Sequence, residues 1–531
     1  MDIRRTMRAA ASALVVLLPV LALAAPAGAR PADLHPATPS TVVVALSAMP
    51  QGVDPLVTSD QYSADIEALL YDPLYFETPT ATYAPDLATS WQVRDRGRLY
   101  VYNLNPKARW TSGRPVDAAD VVASLRAYAS ARDTGHGRGA FADLLSASAA
   151  GPHRVSVRLR RPDPAWPGVL AGLPILPDGS AAPPTPAKGQ PRALIGPTDG
   201  PYLLRRWDAE AGVISLAANP AYFRGAPHVA GIDVRVVPAA SAALYGLRHG
   251  TLQVAILPPA WAASLKRAAG LAIHVVSTMG VEMIAFDVQS APLRQAAVRQ
   301  ALSLAVDRGS LIRAAVGGGG AVPVGPWPTA LPSAPAQPEP FDPSLARGLL
   351  SSAGWRVGPG GVRERAGRRL TVTLRYPARS PSLRRAVAIV ARNWRAVGVQ
   401  VTLLPESWAR LARDAAAGRY QALAMGAAFG GGASLTELLS GPAADPPRGQ
   451  DIARYANPTV NALLAQNGES ADEAAPPAPV LAALAAILAA DPPYLPLWSD
   501  TGLVVTSATL SGFVVNPAGP DLYQPQTWIL P

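Results

Sequence analysis

The side chains of this chain that are able to cleave bonds or hold a metal stand apart from one another. The six histidines, His35, His136, His153, His228, His249 and His274, are far apart in sequence. None has the His-x-x-x-His spacing that sets two imidazoles on one helix face. Cysteine is absent, which removes thiolate catalysis and cysteine-bound zinc. Neither the Gly-x-Ser-x-Gly elbow nor the Gly-x-x-x-x-Gly-Lys-Ser/Thr phosphate loop occurs. Asp117 and Asp120 are paired carboxylates, but at a helix start they serve as a cap and a dipole partner. The stretch MGAAFGGGASLTELLS, residues 425–440, is glycine-rich without the G-x-G-x-x-G order, so dinucleotide binding has no support. Its Ser434 and Glu437 have the Ser-x-x-Glu form of a capping box and predict a helix start at Ser434. No cofactor and no protein-held metal is expected. Ser, Asp and His can converge from anywhere in a chain, so a secreted hydrolase stays open as an alternative without local support.

The elements around these residues alternate between strand and helix. STVVVALSA (40–48) and GIDVRVVP (231–238) read as strands, and VDAADVVASLRAYAS (116–130) as a helix capped by Asp117. Between 370 and 426 the pattern is clearest. LTVTLRY, VQVTLL and YQALAMG read as strands separated by two amphipathic helices, SLRRAVAIVARNWRAVG and ESWARLARDAAAG. Such alternation implies right-handed crossovers and a parallel sheet, whose ligands sit beyond the carboxyl ends of the strands. The 425–440 stretch begins where the third of these strands ends. Proline-rich stretches at 174–201 and 323–343 read as long crossing loops or domain edges.

At 531 residues the chain predicts two or three domains. Its formal charge of +10 is almost wholly arginine, since Lys107, Lys188 and Lys266 are the only lysines. The arginines are scattered with acids among them, and the densest cluster, RERAGRR at 363–369, reads as an exposed loop or hairpin tip. No nucleic-acid module is visible. At the N-terminus MDIRRTMR is a basic region, ALVVLLPVLALAA an apolar run, and Ala27-Gly28-Ala29 a small-residue cleavage site. That is the layout of a secretory signal peptide cleaved after about Ala29, with Arg4-Arg5 leaving the export route open. With no cysteine there is no lipobox, and a soluble periplasmic protein is expected.

Five blocks, in order, resemble the family 5 extracytoplasmic solute-binding proteins of ABC importers, the dipeptide, oligopeptide and nickel class. They are VDPLVTSDQYSADIEALLYDPLYF (53–76), APDLATSWQVRDRGRLYVYNLNPKARWTSGRPVDAADVVASL (84–125), DGPYLLRRWDAEAGVISLAANPAYFRGAPHVAGIDVRVVP (199–238), LRQAAVRQALSLAVDRGSLI (293–312), and the pair DIARYANPTVNALL and DPPYLPLW (451–464, 491–498). The resemblance implies an α/β, two-lobed periplasmic binding protein fold, type II and cluster C-like, with an extra α/β domain. After the leader, 1–29, lobe I would comprise 30–71, 191–285 and 490–531, the extra domain 72–190, and lobe II 286–489. It also implies a monomer that closes on a small-molecule or peptide-like ligand by a hinge and docks a membrane permease, with no catalysis. Most matched motifs would be structural: Asp54-Pro55 and the Trp110, Gly113, Pro115 group as turns, and Asp307-Arg308 as a helix end that serves packing.

In peptide-binding members an acid in the segment matching 425–440 anchors the peptide's amino terminus. Aligned from Gly426 to Leu438, the family's tryptophan falls at Ala427, the key aspartate at Gly430 and the proline at Ser434. A buried ammonium without its counterion costs several kcal/mol. Three readings therefore stay open. The ligand lacks a cationic end and packs in an enlarged apolar cavity; or another acid, such as Glu282 or Glu437, substitutes; or the protein is a sensor or scaffold that docks a membrane partner without transport. By loose analogy with the family, Met49, Gln51, Tyr62, Met279, Met283, Gly426, Ala427, Phe429, Gly430 and Trp498 are the expected ligand-lining residues.

Overall fold

The computed structural model describes residues 41–531 except 59, 81, 131–140, 164–165, 180–195, 332–339, 430–434, 436–437, 440–450, 468–475, 518–521, 523 and 531. The leader, Gly430, Ser434 and Glu437 lie outside the described residues. Ten strands make the continuous path of the main sheet. In chain order they are β1 (Thr41–Leu46), β2 (Tyr202–Asp208), β3 (Val213–Ala218), β4 (Gly231–Val236) and β5 (Val254–Leu257). Then follow β6 (Leu271–Phe286), β7 (Thr371–Pro377), β8 (Gln400–Glu406), β9 (Ala422–Ala428) and β10 (Tyr494–Ser507). Their order across the sheet is β8-β7-β9-β6-β10-β5-β1-β4-β3-β2.

One half of the sheet is built on β1. Its Val42, Val43 and Val44 are buried on both faces, as a central strand paired in parallel on either side must be. Between β1 and β2 the chain forms helix α1 (Gln61–Leu70), capped by Asp60, which accepts from Ser63 N at 3.0 Å. It then makes a four-stranded antiparallel sheet from Ala88–Arg94, Leu99–Leu104, Leu144–Ala149 and Arg154–Leu159, with helix α2 (Ala118–Ser130) against it. Asp117 caps α2, accepting from Ala119 N at 2.9 Å. Gly113, at φ +85°, closes the turn by donating to Trp110 O. The Trp110 indole N–H then reaches Asp120, a fully buried acid at the helix start. The core of this sheet runs without interruption into that of β1.

The other half follows α3 (Ala296–Leu304), α4 (Arg308–Val316) and α5 (Pro343–Ser352). Asp307-Arg308 is expected at a helix end. The helix in fact stops at Leu304, and Asp307 starts the next one by accepting from Ser310 N at 2.9 Å. Arg308 is buried and donates to Pro496 O, which fastens α4 to β10. Next come β7, α6 (Pro381–Ala396), β8, α7 (Trp408–Ala416) and β9, with β7 parallel to both β8 and β9. Helix α6 buries Leu383, Ala386, Val387, Val390, Ala391 and Trp394, a stripe at helical spacing.

Two strands belong to both halves. β6 pairs with β10 along most of its length, and only its second part adds β9 on the other side. Any bending of one lobe on the other must pass through these strands. Tyr83, in the strand Tyr83–Pro85, packs against the core of the first half and also against the second.

Candidate ligand-binding site

Where β6 and β10 pass between the lobes, their register slips between Ser277 and Val281 and again between Glu282 and Met283. Such irregularities break the ladder and re-aim side chains. Gly280 sits in the first slip. A Cβ there would fall 2.6 Å from Asp500 Oδ2, so the bare backbone is what lets Asp500 lie against β6. Asp500 is held by the Trp498 indole N–H, which donates to Oδ1 at 2.8 Å.

Two residues further on, Glu282 lies opposite Gly426 on β9 and Trp498 on β10. A Cβ at 426 would stand 3.0 Å from Glu282 Oε1 and 3.3 Å from Oε2. Gly426 is exposed, and the carboxylate of Glu282 rests over it. Glu282 Oε2 is buried and has no hydrogen-bond partner among the described residues. Burial, and then the charge of Asp500, pushes the Glu282 carboxyl up to about 7. Burial also raises Asp500, against the lowering bond from Trp498. Two interacting carboxyls with no described cation beside them make a site that stabilises a positive charge.

The opposite face of the sheet is apolar. Val281 and Met283 are fully buried, and Met279, Met425 and Phe429 share their core, with Ala427 and Tyr83 at its edge. Phe429 N donates to Met279 O at 2.8 Å, so the backbone leaving β9 is tied to β6. The structure thus gathers Met279, Met283, Gly426, Ala427, Phe429 and Trp498 at the junction. Met283 and Trp498 have 0% and 1% exposure. Met49 and Tyr62 pack half-buried on the first lobe's core, with Tyr62 OH hydrogen-bonded to Ser47 Oγ. Gln51 is exposed beside them, its backbone N–H donating to Asp60. Asp500, Gly280 and Tyr83 were missed in the sequence. Asp500 carried one faint signal, an acid in an otherwise apolar run two residues after Trp498. Among the described residues no group of three or more His, Cys, Asp or Glu is arranged to hold a metal.

A junction of this kind, with two long strands shared between lobes, is the frame of a hinged binding protein. The family model for bacterial extracellular solute-binding proteins, family 5 (middle), matches residues 82–439, more than half of the chain. The chain belongs to that family. This family 5 protein is 28% identical over 519 residues to "Probable di/tripeptide-binding protein 5" of Pseudomonas aeruginosa (strain UCBPP-PA14), an alignment covering 91% of this chain and 95% of the relative. It is 24% identical to "Heme-binding protein A" of Haemophilus influenzae, with 98% of each covered. Its fold is similar to that of "MppA Periplasmic Murein Tripeptide Binding Protein, Unliganded Open Form", with a TM-score of 0.76, 20% identity, and 93% and 98% of the two chains covered. The fold is therefore the two-lobed α/β fold of the periplasmic binding proteins. No helix among the described residues of this family 5 protein is long and apolar enough to cross a membrane.

Proposed function

We propose that this chain is the extracytoplasmic binding component of an ABC importer, and that it captures a solute bearing a cationic group, such as the amino terminus of a short peptide. The observation that carries this reading is the Glu282 carboxylate, lying over Gly426 with Asp500 as its charged neighbour. An ammonium arriving there meets two acids in place of the one that peptide-binding relatives keep at the position matching Gly430. Of the readings left open by the sequence, this supports the substituted acid. Glycine at 426 makes room for a carboxylate from the neighbouring strand. Closure bends β6 and β10 at the register slips, and the closed form docks on the permease.

The test is a thermal-shift screen of di- and tripeptides with free or acetylated amino termini. A ligand at a hundred times its Kd adds about 2.7 kcal/mol of stability. Free amines are expected to stabilise the protein and acetylated ones are not; equal shifts from both would end this reading. Gly426→Val provides a second check. The branched side chain must displace the Glu282 carboxylate, so peptide affinity drops at least about tenfold, roughly 1.4 kcal/mol. Titration calorimetry reads this directly, and unchanged affinity would place the cationic group elsewhere.

A further inference from the structure

The arginines that read as scattered along the sequence are not evenly spread. Residues 347–419 hold fifteen arginines against three acids, a net +12 that exceeds the +10 of the whole chain. The structure gathers one group of them where α5, a β-hairpin and the C-terminal end of α6 meet in the second lobe. The hairpin runs through Arg356–Val357, Arg363–Arg365 and Arg368–Arg369, and turns at Ala366 and Gly367, both at positive φ. Arg363 is buried and joins the three pieces. Its Nε donates to Val397 O at the end of α6, and its Nη1 donates to Ser351 Oγ of α5 and to Trp355 O.

Around this buried arginine, Arg347, Arg356, Arg365, Arg368, Arg392 and Arg395 are exposed. None of the six lies within ion-pair distance of a carboxylate among the described residues. The hairpin's single acid, Glu364, is held by Arg369 at 3.4 Å. Like charges are crowded here strongly enough that Arg347 lowers the guanidinium of Arg363, in addition to the effect of burial. Val357, on the same hairpin, is 68% exposed. A surface that keeps this repulsion without an internal counterion is complementary to an external array of anions. Arginine forks match phosphate bidentately, and an exposed aliphatic side chain among them suits shallow insertion between headgroups.

We infer that this face of the second lobe docks the protein onto anionic phospholipid headgroups, holding a binding protein at the membrane surface where an importer would receive its ligand. A nucleic-acid site is less suited to it, because the hairpin that carries Arg356, Arg365 and Arg368 has no exposed aromatic to stack a base. The inference does not depend on the identity of the captured solute.

The experiment is cosedimentation of the protein without its leader, residues 30–531, with vesicles of phosphatidylcholine alone or with 40% phosphatidylglycerol, at about 50 and about 500 mM NaCl, where screening differs several-fold. Partitioning is expected to be at least tenfold stronger on the anionic vesicles and to collapse at high salt. Arg365→Glu/Arg368→Glu/Arg392→Glu is expected to abolish it while leaving thermal stability intact. A control with the same charge change on the first lobe and its inserted sheet, Arg126→Glu/Arg248→Glu/Arg267→Glu, retains most of it. Equal binding to neutral vesicles, no binding to anionic ones, equal losses in both triple variants, or tighter binding to duplex DNA than to the vesicles would each overturn the inference.

Discussion

Glu282→Gln is expected to make the ligand-free protein more stable at pH 8 and to abolish its stabilisation by free-amine peptides. Burial and Asp500 raise this carboxyl from 4.5 to about 7. A raised carboxyl binds more protons in the folded than in the unfolded state between those two values. Stability therefore falls as pH rises from about 4.5 to about 7, and the deficit is complete above that. At about 1.4 kcal/mol per pH unit the deficit is about 3 kcal/mol as an upper bound. The glutamine amide removes the charge but leaves a buried polar group, so the net gain at pH 8 is about 1–2 kcal/mol. At pH 5 the wild-type side chain is already protonated and the gain vanishes. The same titration governs capture: a cationic ligand binds wild type more weakly as pH drops through 7, and the variant shows no such step. Melting curves with and without peptide at pH 5 and 8 contain the whole test. A lower melting temperature at pH 8, or a peptide shift that survives the substitution, would mean that Glu282 is a structural acid.

Arg224→Ala is expected to destabilise the protein by about 2 kcal/mol at pH 8, where an Asp86 left without its arginine takes up a proton at a cost of about 1.4 kcal/mol per pH unit above 7 and the packing on Phe76 is lost as well. Three buried acids, Asp72, Asp86 and Asp199, converge where the first lobe meets the inserted sheet. Among the described residues Arg224 is the cation that lowers Asp72 and Asp86, 3.2 Å from Asp86 Oδ2 and over the Phe76 ring. Burial pushes Asp86 up to about 7 despite this arginine, and it pushes Asp72 and Asp199 well above the usual carboxylate range. Without Arg224 the ionised Asp86 has nothing to offset its desolvation, so the loss is largest above pH 7. Below about pH 6 Asp86 carries a proton, and the loss shrinks to about 1 kcal/mol, chiefly the packing on Phe76. Denaturation at pH 5 and pH 8 measures both figures. A loss independent of pH would mean that packing alone is at stake.

Much of this protein was legible without coordinates because its signals are local. The β7–α6–β8–α7–β9 run declares itself through period-two and helical spacing, and Asp117 announces the start of α2 through its side chain. The division of α3 from α4 was harder. An apolar stripe runs through Ala305 and Val306, and only the bond from Ser310 N to Asp307 shows where one helix stops and the next begins.

The sequence by itself determined the family, the α/β elements, the absence of cysteine chemistry, and the lack of an acid at position 430. Local periodicity and motif order suffice for those, since each depends on neighbours along the chain. The tertiary structure alone decided where negative charge is found. Glu282, Gly426 and Asp500 are separated by 144 and 74 residues, and they meet only because β9, β6 and β10 lie side by side in one sheet. Gly280 and Gly426 each have a carboxylate lying against them, which the chain order of the residues does not show. Register across strands is a non-local property, so no pattern along the chain announces these contacts.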